Sequence, residues 1–224
     1  NNHAAKFASG DYLLLLNNDI VVLHDDWLDA MMAHGVRSEV GIVGVRLLYP
    51  DTMGIQHAGI VLGMMGLAAH VFRSLPHDSP GYLLRMMVDQ SYAAITGACL
   101  LIRKSVYEQV GGLDEEKYNI YCNDIDLCLK VGKLNYKIIW TPFATLLHYE
   151  GSSINKNRIA DERKLISIRE NQQHFYRDWG ALLHNYPSWN RNLRLGMYTP
   201  RVEDEFVPSW NPDFEDRPRV LSLS

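Results

Sequence analysis

Residues 11–19 read Asp11-Tyr12-Leu13-Leu14-Leu15-Leu16-Asn17-Asn18-Asp19. The apolar run has the length of a strand covered on both faces, although periodicity alone does not separate it from a helix. It stops abruptly at two amides and a carboxylate. Working outward, Asp25-Asp26 open an apolar-faced stretch (Trp27, Leu28, Met31, Met32) closed by Gly35, which predicts a helix. Residues 40–49 read as a strand, and Pro50 to Gly54 as a turn. Residues 55–90 are rich in Gly, His and Met without a clean period, so an extended functional loop is expected.

Further along, residues 92–102 read as a buried strand interrupted by Gly97. A helix over about 104–110 ends at Gly111-Gly112, and Asn123-Asp124 open another to about Leu134. Residues 137–147 form a strand ending at His148. A longer helix over 161–179 carries Leu165, Ile168, Gln172, Phe175 and Trp179 on one stripe. The remainder, with prolines at 187, 200, 208, 212 and 218, has no period and is expected to wrap the surface. Strands alternate with helices, which predicts an α/β domain built on a mixed sheet.

Composition narrows the function classes. The chain has 224 residues and 25.6 kDa, with 47% apolar and 21% charged residues, which suits one globular domain with an appendage and excludes disorder. Lys plus Arg is 22 against 26 Asp plus Glu, a formal charge of −4 that argues against nucleic acid as a partner. No apolar run reaches the ~18 residues of a spanning helix, and no signal peptide is visible. The three cysteines, Cys99, Cys122 and Cys128, lack metal-site spacing and read as reduced cytosolic thiols. There is no G-x-G-x-x-G, P-loop, G-x-S-x-G or H-E-x-x-H motif, which disfavours P-loop and serine-hydrolase chemistry.

Asp19 sits where a buried strand stops, the place where ligands gather in α/β sheets. It suits either a hard divalent cation or a polar turn. Asp124 and Asp126 suit a helix start, where acids cap free N–H groups. Two helical steps turn about 200°, so these carboxylates face nearly opposite ways and at most one enters a cleft. His148 at a strand end is a surface residue or a ligand for an ion such as Mn²⁺. Gly97, after Thr96, marks a bulge or a close approach of a ligand to backbone. His57, His70 and Arg73 fall in the irregular segment.

Taken in order, these pieces resemble the family 2 glycosyltransferases of the GT-A fold. Residues 8–19 are similar to the strand leading into that family's D-x-D metal motif. Thr96 to Lys104 and Val110 to Glu115 resemble its acceptor-side strand and helix. Asn123-Asp124-Ile125-Asp126-Leu127 is similar to the E-D-x-D-L segment carrying the catalytic base. Trp140-Thr141-Pro142, His148 and Ser152-Ser153 match the stretch closing the metal site. The branch most resembled works on bacterial surface polysaccharides, including rhamnose-containing ones. Two positions depart from the pattern: Asn17 and Asn123 stand where the family has acids.

The resemblance implies a GT-A-like mixed sheet flanked by helices, with residues 1–155 as the metal and acceptor half of a truncated domain. Its nucleotide-binding half would precede Asn1. Residues 156–184 would form a C-terminal helix, and 185–224 a surface-wrapping tail. It further implies an inverting, metal-dependent transfer from a UDP- or dTDP-linked sugar to a saccharide or lipid-linked saccharide, in the cytoplasm or at the inner membrane face. Asp19 and His148 would hold Mn²⁺ or Mg²⁺, Asp124 would be the base, and Asn17 and Asn18 would touch the donor. Thr96, Gly97, Asn123 and His57 would line the acceptor and sugar site. Asp124, at a helix start, would stay ionised. Two other classes compete: a metal-dependent phosphoesterase using Asp19, Asp124 and His148, and an inactive glycan-binding module.

Overall fold

A computed structural model describes residues 1–149, 158–183, 186, 188–190 and 192–201. Ser152-Ser153 and most of the expected tail lie outside the described residues. The elements run α1 (Asn2–Ala5), β1 (Tyr12–Leu16), β2 (Ile20–Val22), α2 (Trp27–Gly35), β3 (Val40–Leu48), β4 (Ile55–His57), β5 (Ile60–Leu62), β6 (Ala68–His70), β7 (Gln90–Ser91), β8 (Cys99–Arg103), α3 (Lys104–Gln109), α4 (Asn123–Lys133), β9 (Lys137–His148) and α5 (Arg158–Trp179).

The main sheet is mixed, as the alternation of elements predicts. Its order is β1-β8-β3-β9-β2, with β4 on β3 and β7 on β9. β3 and β9 pair in parallel, and the remaining pairs are antiparallel. β3 shows why the sheet is buried on both faces. Ile42 and Leu48 enter one apolar cluster with α3, α4 and α5, while Val43, Val45 and Leu47 join Met31 of α2 on the other. The core comes close to the backbone at two glycines of β3. A Cβ on Gly44 would lie 1.9 Å from Ile95 Cγ2, and one on Gly41 2.5 Å from Val131 Cγ1 of α4. Any side chain there pushes the layer apart.

Three expectations are corrected. The leucine run β1 does pack on both faces, Leu13 and Leu15 on one cluster and Tyr12 and Leu14 on the other, but it is an edge strand paired only with β8 and its residues are half-buried rather than buried. The segment 55–90 is not one open loop. It holds the three-residue strands β4, β5 and β6 and the two-residue β7, too short to show a period. The strand expected over 92–102 starts only at Cys99, since 92–98 turns away to bridge Ile60 through Ala94.

α5 packs its Phe175 and Trp179 into the core, each such burial contributing roughly 1.5–3 kcal/mol. Its buried stripe runs through Asn171 rather than Gln172, and Leu165 is 56% exposed. The three cysteines are free and buried. Among the described residues no helix is long and apolar enough to cross a membrane.

Candidate active site

Three registers assemble the site at the carboxyl ends of β1 and β9. Residues 17–19 cross that end of the sheet from β1 at one edge to β2 at the other. β2 pairs Ile20 with His148, which sets Asp19 beside the end of β9. β1 pairs Leu16 with Cys99, and the Asn17 N–H donates to Ala98 O at 2.9 Å, which sets Asn17 beside Thr96-Gly97-Ala98. The register of β9 makes its end reach this far. Opposite Val45 and Arg46 of β3 stand Thr141 and Thr145, so residues 142–144 bulge out where Pro142 has no N–H to donate.

His148 Nε2 lies 3.2 Å from Asp19 Oδ1 and 3.3 Å from Asn17 Nδ2. Its Nδ1 lies 2.7 Å from Gln56 Oε1. Asp19 Oδ1 is buried and accepts no hydrogen bond. With the ring proton on Nδ1, a bare nitrogen faces a bare carboxylate oxygen. Only a proton on Nε2 or a shared cation relieves that arrangement, and nitrogen plus carboxylate is a donor set that suits Mn²⁺. Asp19 and His148 therefore fit a divalent ion. Among the described residues no group of three or more His, Cys, Asp or Glu converges.

The other half of the site is the start of α4. Cys122 before it takes the left-handed conformation with φ +68°, a strained geometry for a residue with a side chain. Asp124 Oδ2 accepts the Gly97 N–H at 2.9 Å, and Oδ1 accepts its own helix's Ile125 N–H at 2.8 Å. Gly97 is where backbone and carboxylate meet: a Cβ there would sit 3.3 Å from Asp124 Cβ. Burial pushes the Asp124 carboxyl above the ordinary aspartate range, partly offset by the N–H groups of Gly97 and Ile125 and by Thr96. Burial thus works against the ionised form that the helix start favours. Asp126 points the opposite way. It is 4% exposed, accepts Trp179 Nε1 at 3.0 Å and pairs with Lys130 Nζ at 3.0 Å. The helical step separates the two carboxylates as the sequence predicts.

Two adjoining cavities, each about 290 Å³, share Thr96, Ile120, Asn123, Asp124 and His148 in their walls. One extends over Tyr49, His70, Arg73 and Tyr121, the other over Asn17 and Gly97. Asp19 lines neither cavity and is joined to them only by its contact with His148. Two expected lining residues do not take part. Asn18 is exposed and lines neither cavity. His57 is fully buried behind the wall, its Nε2 3.5 Å from the Thr96 N–H, and its ring packs edge-on against His70 at 4.8 Å. Burial, then the neighbouring His70 and His148, hold its imidazole well below the usual range. His70, not His57, faces the cavity.

The loop over the cavity is clamped by α5. Asn171 Oδ1 accepts the N–H of Ile120 at 3.2 Å and of Tyr121 at 2.9 Å, and its Nδ2 donates to Lys117 O at 2.7 Å. Asp178 accepts Lys117 Nζ and Tyr118 OH, both at 3.0 Å. Sequence reasoning missed Gln56, His70 and Asn171. Only Asn171 had a signal, as a polar residue adjoining an otherwise apolar stripe.

No family model matches the chain. Protein y4gI of Sinorhizobium fredii, uncharacterised, is 38% identical over 87% of this chain and 21% of its own length. The O-antigen biosynthesis protein RfbC of Myxococcus xanthus is 35% identical over 80% of this chain and 14% of its own. The rhamnosyltransferase WbbL of Escherichia coli K12 is 28% identical over 63% of this chain and 53% of its own. A crystal structure of GalNAc-T7 with UDP, GalNAc and Mn²⁺ shares the fold, with TM-score 0.50 and 13% identity over 86% of this chain and 46% of that one. The fold is that of the GT-A glycosyltransferases. Within that class, its ordered motifs resemble the family 2 glycosyltransferases, and the names of RfbC and WbbL agree with that resemblance. It spans only about a fifth of y4gI and a seventh of RfbC.

Proposed function

We propose that this chain carries the cation site and general base of an inverting glycosyltransferase that acts in cell-surface polysaccharide synthesis. The donor is a UDP- or dTDP-linked sugar, and the acceptor a saccharide or lipid-linked saccharide hydroxyl. The O-antigen and rhamnosyltransferase names carried by RfbC and WbbL support this class and favour a deoxyhexosyl or hexosyl donor. The observation that carries the reading is that His148, in contact with Asp19, and Asp124 line the same two cavities.

Asp19 and His148 would hold Mn²⁺ or Mg²⁺. Bound there, the ion supplies positive charge to the departing diphosphate. Asp124 takes the proton of the acceptor hydroxyl, typically a factor of about 10²–10⁴. The acceptor oxygen forms its bond to the anomeric carbon from the face opposite the diphosphate. The old carbon–oxygen bond breaks, and its electron pair leaves with the diphosphate. A carboxyl held above the ordinary range is a stronger base than a free aspartate. Its two N–H partners fix the carboxylate plane, and Thr96 and Gly97 form the floor below it. Asn123, in the wall of both cavities, would touch the sugar or acceptor, and Asn17, in the wall of one, the donor.

Asp124→Asn tests the assignment. Transfer to a saccharide acceptor is abolished while sugar-nucleotide affinity stays close to wild type, and equal loss of both defeats Asp124 as base. Phosphate release from simple esters without an acceptor would favour a phosphoesterase instead. Glycan binding with no turnover would favour an inactive module.

A further inference from the structure

We infer that Gln56 is the positioning residue of the cation site, holding the His148 ring in the tautomer that leaves Nε2 bare toward Asp19. This rests on the reading of Asp19 and His148 as cation ligands. Gln56 lies in β4 and is buried. Its amide makes two bonds to one residue. Nε2 donates to the backbone carbonyl of His148 at 3.2 Å, and Oε1 lies 2.7 Å from His148 Nδ1.

The first bond decides the second. A carbonyl oxygen only accepts, so the amide nitrogen must face it, and the amide oxygen is left facing the ring. That oxygen also only accepts, so the proton between them belongs to Nδ1. A neutral imidazole carries one N–H, and Nε2 is then a lone pair. Asn17 is compatible with this, because its Nδ2, 3.3 Å away, can donate into that lone pair. The lone pair points at Asp19 Oδ1, 3.2 Å off and otherwise without a hydrogen-bond partner. A metal-ligating histidine commonly has its second nitrogen fixed by such an acceptor, and loss of that partner typically costs about 10–100-fold in metal affinity.

A tie between β4 and β9 would be equally useful to the fold alone, so the test separates the two roles. The chain, labelled with ¹⁵N-histidine, is read metal-free at neutral pH by long-range imidazole spectra. Mn²⁺ is then titrated and the free ion followed by electron paramagnetic resonance. Wild type should show His148 protonated on Nδ1. Gln56→Met should lose that preference and weaken Mn²⁺ binding by about 10–100-fold. Gln56→Glu, which keeps an acceptor toward Nδ1, should keep the tautomer and stay close to wild type in affinity.

A wild-type ring that carries its single proton on Nε2 overturns the inference. So does a folded Gln56→Met that binds Mn²⁺ as wild type does, and that result leaves the cation reading standing. If Gln56→Met does not fold, loss of the Nδ1 proton in Gln56→Glu overturns it. A wild type that takes up no more Mn²⁺ than Asp19→Ala overturns the cation reading and this inference with it.

Discussion

Replacing Asn171 by Ala should unfasten the loop above the cavity from α5. Asn171 is 3% exposed and makes three hydrogen bonds, to the N–H groups of Ile120 and Tyr121 and to the carbonyl of Lys117. A typical bond of this kind contributes about 0.5–1.5 kcal/mol net, and a group left buried without a partner costs about 1–3 kcal/mol. Three bonds at about 1 kcal/mol each give a loss of about 3 kcal/mol. For a chain of this size each kcal/mol shifts Tm by roughly 2–4 °C, so Tm should fall by about 6–12 °C. Asn171→Asp separates the parts. It keeps the oxygen that accepts from Ile120 and Tyr121 and gives up only the donation to Lys117, so its loss should be near a third of the alanine variant's. The assay is urea unfolding followed by tryptophan fluorescence, with the midpoint and slope fitted separately. An alanine variant within about 1 kcal/mol of wild type refutes the clamp. An aspartate variant as damaged as the alanine one refutes the assignment of the two N–H bonds.

The remaining expectations concern the acids. Asp126→Ala strips a buried partner from Lys130 and Trp179, and urea unfolding should show a loss of about 3–5 kcal/mol, where a loss under 1 would show the pair to be idle. Burial raises the Asp124 carboxyl, so between pH 3.8 and its folded pKa the folded state binds more protons than the unfolded state, and its contribution to stability is lost as pH rises through that window. The unfolding free energy of wild type minus that of Asp124→Asn should therefore fall as pH climbs above 3.8, by at most about 1.4 kcal/mol per unit, and a difference that grows with pH contradicts the raised value. Asp19→Ala should abolish the Mn²⁺ dependence of UDP binding measured by calorimetry, and an unchanged dependence removes Asp19 from the cation site.

Local chemistry made much of the fold legible. The glycines that end α3 act through the neighbouring backbone, so their sequence positions suffice: Gly111 and Gly112 take φ +77° and +68°. The helical step by itself makes Asp124 and Asp126 diverge, whatever distant groups each then meets. The elements β4, β5 and β6 were not legible because three residues cannot display an alternation. The site is another matter. Asn17 and His148 meet across 131 residues through the registers of β1 with β8 and β2 with β9, which no local pattern encodes. Asn171 and Gln172 are one helical step apart and fit the same apolar stripe nearly equally. What distinguishes them is the loop that Asn171 caps.

The departures at positions 17 and 123 change what the cation site demands of its ligands. An aspartate at 17 would set a second negative oxygen against the bare Nε2 of His148, whereas the amide donates an N–H to it. The amide thus suits the tautomer that Gln56 imposes, and the site gives up one charge in return. On the proposed reading, Asp19 and His148 would supply two of the about six ligands that a hard divalent ion takes. A donor diphosphate that added to them would couple the two bindings, and each would then raise the affinity of the other by the same factor. Asp124, held by Gly97 and Ile125 on the same cavity wall, would need no part in holding the ion and would stay available to the acceptor's proton.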